Sequence, residues 1–160
     1  MVNILPLNLV PVALSVCLNW ADQEWGESAG FTDADWRAEF QSIEDNAVDQ
    51  VFVACLDNVP VGMIWMLEHE DVESHKHLTP WISTLVVDPA YRSRGIARAL
   101  VAHGEAYAAF GGVEVLYLVT QSPAFYFRLG WEVCDTALLA GNTVFVMQKT
   151  LASVPIDVQD

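Results

Sequence analysis

Apolar positions along the chain change period several times, and each change marks an element. Residues 2–7 are short and apolar, closed by Pro6 and Pro11, and predict a first strand. Over residues 12–25, Val12, Val16 and Trp20 form one stripe with Leu14 and Leu18 beside it, which is helical spacing. Together these two segments predict a buried strand followed by a buried helix. Gly26 and Gly30 then interrupt. Thr32 stands where an N-cap belongs for a second helix reaching about Asp45, with Asp33 and Asp35 in its first turn.

After Asp45 the period shortens. Residues 50–56 and 61–68 predict two strands joined across Asp57-Asn58-Val59-Pro60 as a hairpin. A polar stretch over 68–77 follows, then an apolar strand over 80–87 that ends at Asp88-Pro89. Residues 92–109 predict a helix with Ile96, Leu100, Val101, Gly104, Tyr107 and Ala108 inward, stopped by Phe110-Gly111-Gly112. Residues 113–120 are apolar on both faces apart from Glu114, as in a central strand. A short helix begins at Pro123, and residues 131–133 and 143–150 predict the last strands; by analogy alone, a shared sheet edge over 143–150 would suit a homodimer. The order is β-α-α-β-β-β-α-β-α-β-β, an α/β class fold. There are no repeats and no linker rich in Pro, Gly or Ser, so one domain over 1–160 is expected.

Composition narrows the class. Hydrophobic residues make up 53% of the chain, enough for a full core. Residues 1–20 carry no charge, but a signal peptide needs a basic start and the first basic residue is Arg37. Asn3, Pro6, Asn8, Pro11 and Asn19 interrupt that stretch too often for a membrane span. Cys17, Cys55 and Cys134 form no CxxC pair and no zinc spacing, which suits packed, reduced thiols in a cytoplasmic protein.

Net charge is −14, unevenly spread. Residues 1–80 hold 14 acidic groups against Arg37 and Lys76, whereas residues 81–160 hold seven against five basic ones. Nucleic acid is a poor partner for such a chain. The near-neutral half suits an anionic cofactor, and the acidic half attracts cations.

Candidate chemistry concentrates in Leu85-Val86-Val87-Asp88-Pro89-Ala90-Tyr91-Arg92-Ser93-Arg94-Gly95-Ile96-Ala97. A buried strand runs into a turn with two arginines, a glycine and a helix start. Unpaired N–H groups and the helix dipole make an anion site there, and Arg92, Arg94 and Arg98 add charge. A pyrophosphate fits this pattern. The dinucleotide GxGxxG and the P-loop are both absent. The alternative is that Gly95 only relieves crowding between helix and sheet.

Arg92-Ser93-Arg94-Gly95-Ile96-Ala97 resembles the Q/R-x-x-G-x-G/A signature of the GNAT acetyltransferase superfamily, preceded by that family's "V-x-P-x-Y-R" turn. Within Ala124-Phe125-Tyr126-Phe127-Arg128-Leu129-Gly130-Trp131, the run from Phe125 is similar to the F-Y-x-R/K-x-G-F/W part of its "A-x-x-F-Y-x-R/K-x-G-F/W" segment. The resemblance covers 80–150 well and the N-terminal half by element order only. It implies a mixed, mostly antiparallel sheet flanked by helices, with acetyl-CoA as acyl donor. The pantetheine arm would lie along Leu85, Val86 and Val87, and the pyrophosphate on Arg92, Ser93, Arg94, Gly95, Ile96, Ala97 and Arg98. Ser122, just before the second motif, completes this set. Tyr126 matches the tyrosine that protonates the departing thiolate of CoA.

Acyl transfer to an amine needs a neutral nucleophile, so a proton must leave a group whose pKa is roughly 10. The resemblance places a family glutamate at Trp81, where this sequence departs from the pattern. Glu68 is the first choice for a base, with His69, Glu24, Glu27 and Thr84 through a water as alternatives. His69, His75 and His77 lie close in sequence, but their spacing matches no zinc template, and no metal is expected. Trp20, Trp25 and Trp36 suit either core packing or an aromatic wall for an ammonium.

The expected function is therefore an acetyl-CoA-dependent N-acetyltransferase acting on a primary amine, a small cationic molecule first. A protein or peptide amine, and a catalytically silent acyl-CoA-binding module, are the alternatives.

Overall fold

The computed structural model describes residues 1–152. Seven strands share one sheet: β1 (Val2–Pro6), β2 (Gln50–Leu56), β3 (Val59–Leu67), β4 (Trp81–Val87), β5 (Val115–Thr120), β6 (Glu132–Leu139) and β7 (Asn142–Thr150). Their order is β1-β2-β3-β4-β5-β7-β6. Every neighbouring pair is antiparallel except β4 and β5. The helices are α1 (Leu14–Ala21), α2 (Glu27–Ala29), α3 (Asp33–Asp45), α4 (Ile96–Phe110) and α5 (Ala124–Phe127).

Local chemistry explains the boundaries. A π-helical turn, Asp22–Gly26, joins α1 to α2, so one helical run continues until Gly30 turns left-handed at φ 66°. Thr32 caps α3 in a reciprocal box with Asp35. The β2–β3 turn is tighter than the sequence suggested. Asp57 and Asn58 alone take positive φ, 49° and 65°, which suits a two-residue hairpin, and Val59 and Pro60 join β3.

Two apolar layers sandwich the sheet. Cys17, Trp20, Trp36 and Phe40 of α1 and α3 pack on Val51, Val53, Met63 and Trp65. On the other face, Ile96, Leu100, Val101 and Ala108 of α4 cover Phe52, Ile64, Met66, Ile82 and Leu116. Gly104 permits this approach, since a Cβ there would lie 2.9 Å from Met66 Sδ.

Several expectations need correction. The first strand is a half-exposed edge of the sheet, because only β2 pairs with it. α4 begins at Ile96 rather than Arg92, because Ser93 and Gly95 are left-handed. Tyr107 is 42% exposed and lays its ring edge-on to Phe52 at the rim. The strand expected over 131–133 extends to Leu139, and it, not β7, forms the sheet edge, since β7 pairs on both sides. Cys17 and Cys55 are buried but Cys134 is exposed, and all three are free. Burial pushes the Cys17 thiol up to about 12, so that thiol is inert. Among the described residues, no helix is long and apolar enough to cross a membrane, and no group of three His, Cys, Asp or Glu could hold a metal.

Candidate functional site

The site begins where two parallel strands part. β4 and β5 are in register only at Trp81 and Tyr117, reinforced by the Tyr117 N–H on Pro80 O at 3.2 Å. Trp81 itself is fully buried, donating its indole N–H to Leu78 O at 2.8 Å, so it anchors this junction. Past it the strands separate around a cavity of about 460 Å³ lined by Ser83, Thr84, Leu85, Leu118, Val119, Thr120 and Tyr126.

A bulge drives the separation. Met63 pairs with Val86 and Trp65 with Ser83, so β4 carries one residue more than β3 over this stretch. Thr84 absorbs it at φ 47°, a strained conformation for a β-branched residue. The bulge re-aims the backbone of Thr84 and Leu85 at the cleft. The side chain of Val86 turns away into the core beneath α1 and α3, so at that position only backbone could face a ligand.

The arginine turn follows β4 and touches the cleft wall through Glu24, 3.5 Å from Arg92. Ser93 at φ 63° and Gly95 at φ 78° alternate with Arg94, a pattern that directs successive N–H groups to one side. The first helical bond of α4 is Ala99 N–H to Gly95 O, so the amides of Ile96, Ala97 and Arg98 have no partner within the helix. A Cβ on Gly95 would meet nothing within 4 Å. Gly95 is thus required by conformation, and not, as the crowding alternative held, by space. Arg94 lies 5.3 Å from the centre of the Tyr91 ring. Arg92 bonds through Nε to Val87 O at 3.3 Å and lies 3.5 Å from Glu24. Ser122 is exposed in the turn after β5, its N–H bonded to Thr120 Oγ1 at 3.0 Å.

Tyr126 forms the opposite wall, its ring edge-on to Phe125 and to Trp131. Burial pushes its phenol above the usual tyrosine value, which keeps the proton on the oxygen.

Two further cavities adjoin the cleft at Ser83 and Thr84. One, about 660 Å³, is lined by Glu39, Asp49, Glu70, Asp71, Trp65 and Lys76 among others. The second, about 350 Å³, adds Trp25, Phe31 and Trp36 and shares Glu39, Glu70 and Asp71 with the first. Of the tryptophans in question, Trp25 and Trp36 line this cavity while Trp20 is core, bonded to Asp88 at 3.3 Å. Lys76 lines the larger cavity but not the second; it is held 2.9 Å from Glu73 and also feels the charge of Asp71.

Glu70 sits where these spaces meet. Desolvation pushes its carboxyl above the usual range, against hydrogen bonds from Ser83 and the Asp71 N–H that favour the charged form. Glu68, chosen from the sequence, lines none of these cavities; its carboxylate lies 3.8 Å from His69. β3 ends at Leu67, so the alternation of a strand no longer governs which residue faces the site. The Glu70–Ser83 contact spans a loop, and no local pattern in the sequence announces it.

A family model for the acetyltransferase (GNAT) family matches residues 15–131. The chain belongs to that family. No curated protein sequence matches it. Among solved structures, it is similar to an aminoglycoside 6'-N-acetyltransferase complexed with coenzyme A, at TM-score 0.76 and 19% identity over 98% of this chain and 99% of that one. An aminoglycoside 6'-N-acetyltransferase from Enterococcus faecium gives TM-score 0.74 and 19% identity, covering 98% and 99%. A ribosomal-protein-alanine N-acetyltransferase from Brucella melitensis gives 0.71 and 22%, covering 94% and 99%. At these identities the likeness concerns the fold. GNAT acetyltransferases use acetyl-CoA, and the residues present fit it: β4 and β5 part beyond Trp81 and Tyr117, and the turn after β4 carries Arg92 and Arg94 into an α4 start whose first amides have no helical partner.

Proposed function

We propose that this GNAT enzyme transfers the acetyl group of acetyl-CoA to a primary amine of a small cationic molecule. The observation that carries this reading is the meeting of two unlike spaces at Ser83 and Thr84. One is a cleft whose wall residue Glu24 lies 3.5 Å from Arg92 of the arginine turn, the other an aromatic cavity walled by Glu39, Glu70 and Asp71. The first suits an anionic donor and the second an ammonium. The similar structures include aminoglycoside 6'-N-acetyltransferases, and aminoglycosides are molecules rich in amines, which agrees with the charge of this wall.

Donor contacts follow from the geometry. Backbone of Leu85, Val86 and Val87, freed from β5, would bond the pantetheine arm. The turn from Arg92 to Ala97, with Arg98 and the nearby Ser122, would receive the phosphates. The amine arrives as an ammonium and needs a base. Glu70, with its raised pKa, takes that role in place of Glu68 and passes the proton to solvent. The nitrogen then attacks the thioester carbon, and backbone N–H at the Thr84 bulge stabilises the oxyanion. As the C–S bond breaks, the nitrogen sheds its second proton to Glu70. The thiolate takes one from Tyr126, which solvent restores.

Thermal unfolding with and without acetyl-CoA, followed by thiol release across a panel of amines and peptides, tests this reading. A donor at about a hundred times its dissociation constant should add roughly 2.7 kcal/mol. Thiol release with cationic small amines supports the proposal. Release with peptides alone moves the acceptor to a protein, stabilisation without release favours a silent module, and no stabilisation overturns the site.

A further inference from the structure

The helical run that walls the acceptor cavity is fastened to the donor's arginine turn. Trp20 donates to Asp88 at 3.3 Å, and one turn later Glu24 lies 3.5 Å from Arg92 Nη2. Between them, Asp22 accepts from Trp36 Nε1 at 3.1 Å. Glu24 and Trp25 both belong to the π-helical turn, a feature often found at functional sites. Glu24 lines the donor cleft, and its neighbour Trp25 lines both that cleft and the aromatic cavity.

These fastenings differ in kind. Trp20 and Trp36 are buried, and each donates outward from the core in a part-buried bond. The Glu24–Arg92 pair is long and its side chains are 45% and 56% exposed, so water and ligands compete for both partners. A carboxylate on the wall of a cleft for an anionic donor is unfavourable unless it is neutralised, and Arg92 is the cation beside it. A pyrophosphate, carrying more charge than one carboxylate and offering bidentate geometry, is the stronger partner for a guanidinium.

We infer that Arg92 is shared, and that donor binding transfers it from Glu24 to the pyrophosphate, leaving Glu24 to hold the incoming ammonium beside Trp25. Glu24 is then an acceptor-binding residue that becomes available only when the donor is in place. The two ligands assist each other through one arginine, and the coupling is reciprocal. This inference rests on the donor site proposed above.

The test is calorimetric titration of CoA into the wild-type enzyme, Glu24→Gln, Arg92→Gln and the double variant, with Glu44→Gln as an exposed control. The KM of the fastest amine in the panel is measured alongside. Glu24→Gln should bind CoA about fivefold more tightly, since the arginine is released in advance, and should raise the amine KM about tenfold with little change in kcat. Opposite signs for donor and acceptor separate this role from simple structural damage, which weakens both. With Arg92→Gln as background no arginine is left to release, so Glu24→Gln should tighten CoA by less than it does in the wild type. Unchanged or weaker CoA binding by Glu24→Gln, or an unchanged amine KM, overturns the inference. A wild-type enzyme that binds no CoA instead overturns the donor site itself.

Discussion

His75 Nε2 lies 2.8 Å from Asp135 Oδ2 while its Nδ1 lies 2.6 Å from Ser74 Oγ, so one buried imidazole fastens the polar loop to strand β6. In the neutral ring Asp135 can only accept, so Nε2 carries the hydrogen and Nδ1 accepts from the serine hydroxyl. The loop held in this way is the one that carries Glu70 and Asp71 to the cavities they share with Glu39.

The hydrogen bond from His75 holds the Asp135 carboxyl below its ordinary value. A depressed pKa contributes stability above the ordinary aspartate range, and that contribution is lost as pH falls through the folded-state value. Asp135→Asn should therefore lower Tm at neutral pH, and the gap from wild type should close by about pH 2. Thermal unfolding at a series of pH values checks this, and a gap independent of pH would refute it.

Glu70→Gln should cut kcat by about 10²–10⁴-fold while leaving the dissociation constant of CoA unchanged. In the wild type, the acid limb of the pH–rate profile should lie above the ordinary glutamate range, because desolvation raises this carboxyl. Steady-state rates between pH 4 and roughly 9 read both effects. Glu68→Gln, on the same reading, should change kcat less than about threefold, far short of what a lost base costs.

Tyr126→Phe removes only a hydroxyl from a ring packed between Phe125 and Trp131, so fold and CoA affinity should persist. Turnover should fall by about 10²-fold or more if the hydroxyl supplies the thiolate's proton. The raised pKa places any alkaline loss of this acid above pH 10, the ordinary tyrosine value. Equal kcat in the variant and parent would remove the role.

At Gly95 an added methyl meets no atom within 4 Å, so Gly95→Ala isolates the cost of its φ of 78°. That cost should be about 1 kcal/mol, seen as a small fall in Tm. Gly95→Glu adds negative charge beside the unpaired amides of α4 and should abolish CoA binding, which titration would show directly.

How much of this was legible in sequence depends on range. The element order, the α3 cap at Thr32 and the arginine turn are local, and periodicity with capping chemistry exposes them. The β4 bulge was not legible. Thr84 is a strong strand former, and its φ of 47° is imposed by the unequal pairing of Met63 and Trp65 across the sheet. Glu70 escaped for a related reason: its partner Ser83 lies on a different element, and a polar loop carries no period. Strand β6 looked three residues long because, as an edge strand, it is exposed on both faces over Glu132 to Thr136 and lacks the apolar alternation that marks a covered strand.

The most direct test of the central claim compares acetyl transfer to cadaverine, pentylamine and 5-aminovalerate. These acceptors share a primary amine on similar chains and differ in the charge at the far end. The carboxylates Glu39, Glu70 and Asp71 predict kcat/KM in the order diamine, monoamine, amino acid, with the spread shrinking as salt rises. Equal rates for the three, or a preference for the anionic acceptor, would contradict an acidic cavity that selects cationic amines.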